Sequence, residues 1–200
     1  MIEPVQIFPS LLFRSFFVID DNVRCDIIDE LKSKKDVTLS ANSPLGNYTD
    51  FYKDSSIINH PILKDLKEFI LNEVKCANTF AGFLEPVNYL NSWFGIIEKY
   101  GYHEAHTHPD SLWSAVYYLQ ATQTDAPICF LNKNIIDTGG WGMGVAAEKN
   151  QFNSSQISVL PETGMLLIFP SYLLHKVDQQ KTDSERIMIA MNFSNKQHGE

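Results

Sequence analysis

The spacing of apolar positions splits the chain near residue 80, with helical periodicity before it and strand-like patterns after it. Val5 to Ile19 is rich in β-branched and aromatic residues and is broken by Pro9, which predicts two short strands or a strand and a turn. Asp20 or Asp21 can cap a helix whose apolar positions Val23, Ile27, Ile28 and Leu31 share one face; it ends in the lysine-rich stretch near Lys35. Ser40 to Tyr52 is dominated by Asn, Ser, Pro and Gly and reads as loop. Asn59-His60-Pro61 then opens a second helix with Pro61 at its first position and Leu63, Leu66, Phe69, Ile70 and Val74 as its buried stripe. His60 belongs to that helix start, as a cap or a solvated side chain.

Beyond Ala77, Val87, Tyr89, Asn91 and Trp93 alternate with Asn88, Leu90, Ser92 and Phe94, and Ile96 and Ile97 continue toward Gly101. Leu112 to Leu119 is apolar and aromatic on both faces, as in a strand covered from both sides. Pro127–Leu131, Gln156–Leu160, Met165–Phe169, Leu173–Val177 and Ile187–Phe193 complete a set of about eight short strands. Two helices followed by these strands predict a mainly β double sheet with the helices packed outside it. We expect one domain over residues 1–200, with a helical front half (1–80) and a β core (81–200). Asp137 to Ser155 interrupts the strands with Gly139, Gly140, Gly142 and Gly144 around Trp141. It reads either as a lid or binding loop or as a solvent-facing connector, and Trp141 as a lid residue or an interface anchor. Oligomeric state is left open.

Apolar residues make up 44% of the chain and charged ones 20%, the balance of an ordinary globular protein. The net charge of −8 argues against nucleic acid or an anionic membrane as partner, while a local basic pocket for a small anion stays possible. Lys32, Lys34 and Lys35 form the main basic cluster and read as a solvated helix end. Cys25, Cys76 and Cys129 are irregularly spaced, which suggests reduced thiols in a cytoplasmic setting. Glu3 and the lack of an early positive run argue against a signal peptide, and no apolar run reaches the length of a membrane span.

Candidate chemistry concentrates in Gly101 to Leu119, where three of the six histidines fall (His103, His106 and His108). In an extended backbone residues two apart share a face, so His106 and His108 would stand side by side. His175 follows a second buried run and the turn Pro161-Glu-Thr-Gly164. Two ligands from one strand and one from a distant strand suit a non-haem iron held on one side, with open positions for substrate and oxygen. The plainer alternative is that each histidine is a satisfied surface or core residue, but three neutral imidazoles converging inside a barrel without a metal would be short of partners. His103 is expected to back these ligands or to face solvent.

Taken in order, His106-Thr-His108-Pro109, Ser114-Ala-Val-Tyr-Tyr118-Leu119, Gly164 to Ser171 with His175-Lys-Val177, and Arg186 to Phe193 resemble the iron(II)- and 2-oxoglutarate-dependent oxygenases. The likeness is greatest to a small phage- and bacteria-associated group near the prolyl-hydroxylase branch, and it covers nearly the whole chain. It implies a double-stranded β-helix (jelly roll, cupin-like) with Fe(II) in its open mouth and 2-oxoglutarate as cosubstrate. It further implies a dioxygenase that releases succinate and carbon dioxide, hydroxylation as the default outcome, and a cytoplasmic location, in the host cell if phage-encoded. His106 and His175 match the two histidines of the general pattern, and His108 falls where the superfamily has Asp or Glu. Three neutral ligands leave more positive charge on the metal, which a dianionic cosubstrate offsets. An alternative register pairs His108 with Asp110 and leaves His106 out.

By the same resemblance Arg186, eleven positions after His175, takes the distal carboxylate of 2-oxoglutarate, for which a guanidinium fork is suited. The alternative is a salt bridge at a sheet edge, with Glu185 as partner. Tyr118 matches a tyrosine that shares this carboxylate; alternatively it is a core residue. Met188 stands where many relatives have Ser or Thr, and Gly95 lies near a position where some have Asn. Two rivals remain: a three-histidine cupin dioxygenase that uses no 2-oxoglutarate, and a metal-binding sensor or accessory barrel without turnover. Arg186 separates both from the oxygenase reading. The primary substrate is unknown.

Overall fold

The computed structural model describes residues 9–33, 38–40, 43–49, 56–84, 86–133, 148 and 150–195. Asp20 caps the first helix, α1 (Asp21–Ser33): its Oδ1 accepts the backbone N–H groups of Asn22 at 3.0 Å and Val23 at 3.4 Å. The second helix starts later than its proline suggests. Two short 3-10 turns, Ile57–Asn59 and Pro61–Leu63, precede α2 (Lys64–Phe80). His60 sits between the turns, and its Nδ1 accepts the N–H of Ile62, the capping role expected of it. Ile27, Ile28, Leu31, Leu66, Ile70 and Val74 are buried as their spacing requires, whereas Val23 is exposed.

The strands are β1 (Phe13–Phe16), β2 (Thr38–Ser40), β3 (Ser43–Thr49), β4 (Asn88–Ile97), β5 (His103–His106) and β6 (Trp113–Gln120). They continue with β7 (Ile128–Leu131), β8 (Gln156–Val159), β9 (Met165–Pro170), β10 (His175–Val177) and β11 (Arg186–Ser194). One antiparallel sheet has the order β1-β9-β6-β11-β4-β3-β2, and a second has the order β5-β10-β7-β8. From β4 onward the chain crosses back and forth between the sheets, so β4 to β11 form a jelly roll, the double-stranded β-helix. Among the described residues no helix is long and apolar enough to cross a membrane.

Period-two alternation divides the larger sheet into two faces. Phe94, Trp113, Tyr117, Ile168, Ile189 and Phe193 meet the helices in one apolar cluster. Trp93, Val116, Tyr118, Leu167, Met188 and Ala190 point toward the smaller sheet and pack with Ile128 and Phe130. The loop expected over Ser40 to Tyr52 is largely strand instead. β3 pairs with β4 through Asn47↔Ile97, Tyr48↔Ile96 and Thr49↔Gly95. Its partner supplies a ladder of backbone groups, and that pairing does not depend on apolar side chains. The turn before β9 depends on Gly164, whose φ is +84° and whose Cα hydrogen faces the Phe17 carbonyl so closely that a Cβ would stand 3.0 Å from the oxygen. Of the two strands expected in Val5 to Ile19, β1 is present, and residues 5–8 lie outside the described residues. So do Lys34, Lys35, Trp141 and the glycines around it.

Candidate metal centre

β5 and β10 are antiparallel neighbours, and their register sets His106 opposite His175. That pairing closes a separation of 69 residues (175 − 106) and brings the two rings to 4.3 Å between centroids. His108 is not on the strand, contrary to the side-by-side reading. β5 stops at His106, and the chain turns through Pro109 and Asp110, the latter at φ +62°. The His108 N–H donates to the Ser171 carbonyl at 3.0 Å, which brings the third imidazole in from the turn. One ligating atom from each of the three rings lies within 4.8 Å of the others. Asp110, the carboxylate of the alternative register, is exposed and outside this cluster.

The donor set fits a divalent ion. His106 Nδ1 is 2.7 Å from the Glu104 carbonyl and His175 Nδ1 is 2.8 Å from the Leu173 carbonyl. Each carbonyl holds the proton on Nδ1 and leaves the Nε2 lone pair free for a metal. The Nε2 atoms of His108 and His175 are 3.3 Å apart. Two imidazole nitrogens each about 2.1 Å from one ion and at right angles stand about 3.0 Å apart. His108 is held by stacking instead, 5.8 Å from Trp93 at an interplanar angle of 19°. Burial, then repulsion among the rings, pushes His108 down to about 3; burial and His106 lower His175 to about 4, and burial lowers His106. All three are therefore neutral at pH 7, the form that binds metal.

Arg186 opens β11 with its side chain in the cavity that the imidazoles share, walled by Trp93, Val116, Phe169 and Met188. It is 1% exposed. Its Nη2 donates to the Tyr118 hydroxyl at 3.1 Å, while Nε and Nη1 have no hydrogen-bond partner among the described residues. The alternative partner, Glu185, pairs with Lys32. Tyr118 is fully buried; burial raises its pKa, and the guanidinium works against that rise. It is therefore both a core residue and the group that fixes one corner of the fork. A buried guanidinium with two unpartnered nitrogens is costly unless an anion completes it.

Of the two alternatives left open for His103, the side chain takes the one behind the ligands; a second feature of the site escaped the sequence reading. His103 lines the same cavity, with its ring 4.3 Å from that of His106. Strict alternation puts residues three apart on opposite faces, but the register slips between the His175↔His106 and Val177↔His103 pairs. Between these pairs one residue of β10, Lys176, faces two of β5, Glu104 and Ala105, a bulge that returns His103 to the inner face. A buried polar chain supports the His108 turn. Ser114 Oγ bonds Ser171 Oγ and donates to Asn192 Oδ1, both at 2.8 Å, and Asn192 Nδ2 donates to Asn91 Oδ1 at 3.0 Å. Asn91, Ser114 and Asn192 share inward parity, the one signal by which the sequence could have grouped them.

The family described as "Putative 2OG-Fe(II) oxygenase" matches residues 91–192, just over half of the chain. The chain belongs to this family. The oxygenase is also similar in fold to solved structures at low identity. HygX from Streptomyces hygroscopicus, with nickel and 2-oxoglutarate bound, is 13% identical at a TM-score of 0.63, covering 92% of this chain and 83% of its own. A prolyl-4-hydroxylase from Pseudomonas putida is 15% identical at 0.59, covering 93% of each chain. The viral collagen prolyl hydroxylase of Paramecium Bursaria Chlorella virus-1 is 12% identical at 0.56, covering 91% of this chain and 94% of its own. No curated protein matches the sequence significantly. In the oxygenase, the two departures noted from the family pattern, Met188 and Gly95, are cross-strand neighbours, so the glycine stands opposite the larger side chain.

Proposed function

We propose that the oxygenase is a dioxygenase that hydroxylates its substrate and releases succinate and carbon dioxide from 2-oxoglutarate. In this reading His106, His108 and His175 hold Fe(II), and Arg186 with Tyr118 takes the distal carboxylate of the cosubstrate. The observation that carries it is the buried Arg186 guanidinium, whose Nε and Nη1 have no partner among the described residues, on a side chain that lines the cavity shared by the three imidazoles. Iron, when bound, supplies the redox chemistry with dioxygen and the keto acid. The residues do the rest. Carbonyl-anchored imidazoles present their Nε2 lone pairs, and Val116 and Met188 offer an apolar wall to the methylenes of a dicarboxylate. The guanidinium sets the depth at which that dicarboxylate stops. The all-histidine donor set favours a second reading, a dioxygenase that uses no 2-oxoglutarate, but such an enzyme has no use for Arg186.

The helices share a core with the sheet that carries the site, and we read residues 1–200 as one domain. Cys25 and Cys76 are exposed and free, which suits the cytoplasm. The test is an anaerobic titration with Fe(II) and then 2-oxoglutarate, followed by the visible charge-transfer band of a chelated keto acid. Arg186→Ala should abolish the band at moderate cosubstrate concentration and stop succinate formation while metal content is unchanged. Succinate production at the wild-type rate in that variant rejects the assignment.

A further inference from the structure

We infer that His103 is the second arm of the cosubstrate clamp, donating a ring N–H to the distal carboxylate from the side opposite Arg186. The inference rests on the 2-oxoglutarate reading above and adds a residue to it. Position is the first support. Val177 pairs with His103 across β5 and β10, and Ile97 pairs with Arg186 across β4 and β11. Val177 and Ile97 pack together in one small buried cluster. His103 and Arg186 therefore approach the same end of the cavity from opposite sheets, and both line it. Each lies within the electrostatic reach of the other, since the guanidinium is among the groups that disfavour a charge on His103.

Hydrogen-bond demand is the second support. The His103 ring makes no hydrogen bond to any described residue; its partner is the face of the His106 ring. It is not part of the three-residue cluster that can hold a metal. An imidazole keeps an N–H in either tautomer, and a carboxylate has about four lone-pair positions to fill. Arg186 Nε and Nη1 supply two donors from one side. Val116, Val177 and Met188 also line the cavity and supply none from their side chains. Ser114, a further hydroxyl there, is already committed to Ser171 and Asn192. Tyr118 stands with Arg186 on the larger sheet, so on the smaller sheet the imidazole at position 103 is the uncommitted donor that can answer the guanidinium.

The experiment compares two keto acids that chelate a metal identically and differ at the far end: 2-oxoglutarate, and 2-oxobutyrate, which lacks the distal carboxylate. Fe(II) affinity is measured first, anaerobically, and each keto acid is then titrated by its charge-transfer band. His103→Phe keeps an aromatic face against His106 and removes the N–H. It should weaken 2-oxoglutarate about tenfold and leave Fe(II) and 2-oxobutyrate affinity unchanged. His103→Gln, which restores a donor, should recover most of the loss and guards against a folding defect in the first variant. A loss of Fe(II) affinity in His103→Phe, an equal loss for both keto acids, or no loss for either overturns the inference. If the wild type gives no band with either keto acid, the underlying 2-oxoglutarate reading is what fails.

Discussion

On β11, Ile187, Ile189, Met191 and Phe193 point to the helices, while Arg186, Met188, Ala190 and Asn192 point between the sheets. β6 divides in the same way: Trp113, Ala115, Tyr117 and Leu119 on one side, Ser114, Val116 and Tyr118 on the other. Both faces are buried, since Ile189 on the helix face is 0% exposed and Arg186 on the inner face 1%. Their composition differs because their tasks differ. The helix face buries apolar surface and asks its few polar atoms for local partners, as when Trp113 Nε1 donates to Asn78 Oδ1 of α2 at 3.1 Å. The inner face gives up part of that burial to place imidazoles, hydroxyls, amides and a guanidinium around a cavity. Stability resides mainly on one side of the strands and chemistry on the other.

Substitutions on the two faces should therefore separate folding from binding. Ile189→Ala, on the helix face, should lower the unfolding free energy by about 2–5 kcal/mol and leave the Fe(II) affinity of the remaining folded protein intact. Denaturant melts beside a metal titration check this; a metal-affinity loss at constant stability would erase the distinction. His175→Ala should do the reverse, with Fe(II) binding weakened by more than the roughly hundredfold that losing a partner of a ligand costs and the apoprotein melting close to the wild type. Arg186→Met is the sharper probe, because it removes a buried charge that lacks a full set of partners. The metal-free variant should gain on the order of 1 kcal/mol in stability while losing 2-oxoglutarate binding. A destabilised apoprotein would mean that the guanidinium is already satisfied without its anion.

Ser114→Ala leaves Ser171 and Asn192 each short of a partner and should cost about 1–2 kcal/mol. Because Ser171 also receives the His108 N–H, it should weaken metal binding more than Thr122→Ala, a distant control. The apoprotein should also respond to pH. Burial, then neighbouring histidines, lowers His103 and His108 to about 3, and His175 falls to about 4, all below the ordinary value of 6.5. Between those limits the unfolded chain binds more protons than the folded one, so stability should rise as pH increases toward 6.5 and level off above it. Thermal melts of the metal-free protein between pH 4 and 8 read this directly. A slope that persists above pH 7 would point to other groups.

Much of this organisation was legible in the chain. The i, i+3, i+4 stripes of α1 and α2 and the continuous runs of β6, β9 and β11 gave the helices, the main strands and the layer order, because burial imposes periodicity on side chains. β3 was not legible: a strand made by backbone pairing carries no apolar signal, and its polar residues read as loop. At the site, His106, His108, His175 and Arg186 were visible as residue types in ordered motifs. What could not be read was their geometry, since it depends on register. The bulge between β5 and β10 turns His103 inward, the turn through Asp110 takes His108 off the strand, and Lys32 draws Glu185 away from Arg186. Local sequence determined which groups are present and which segments bury them. Only the packing of two sheets decided which lone pairs and N–H groups face one another, because that choice is made by contacts between residues far apart in the chain.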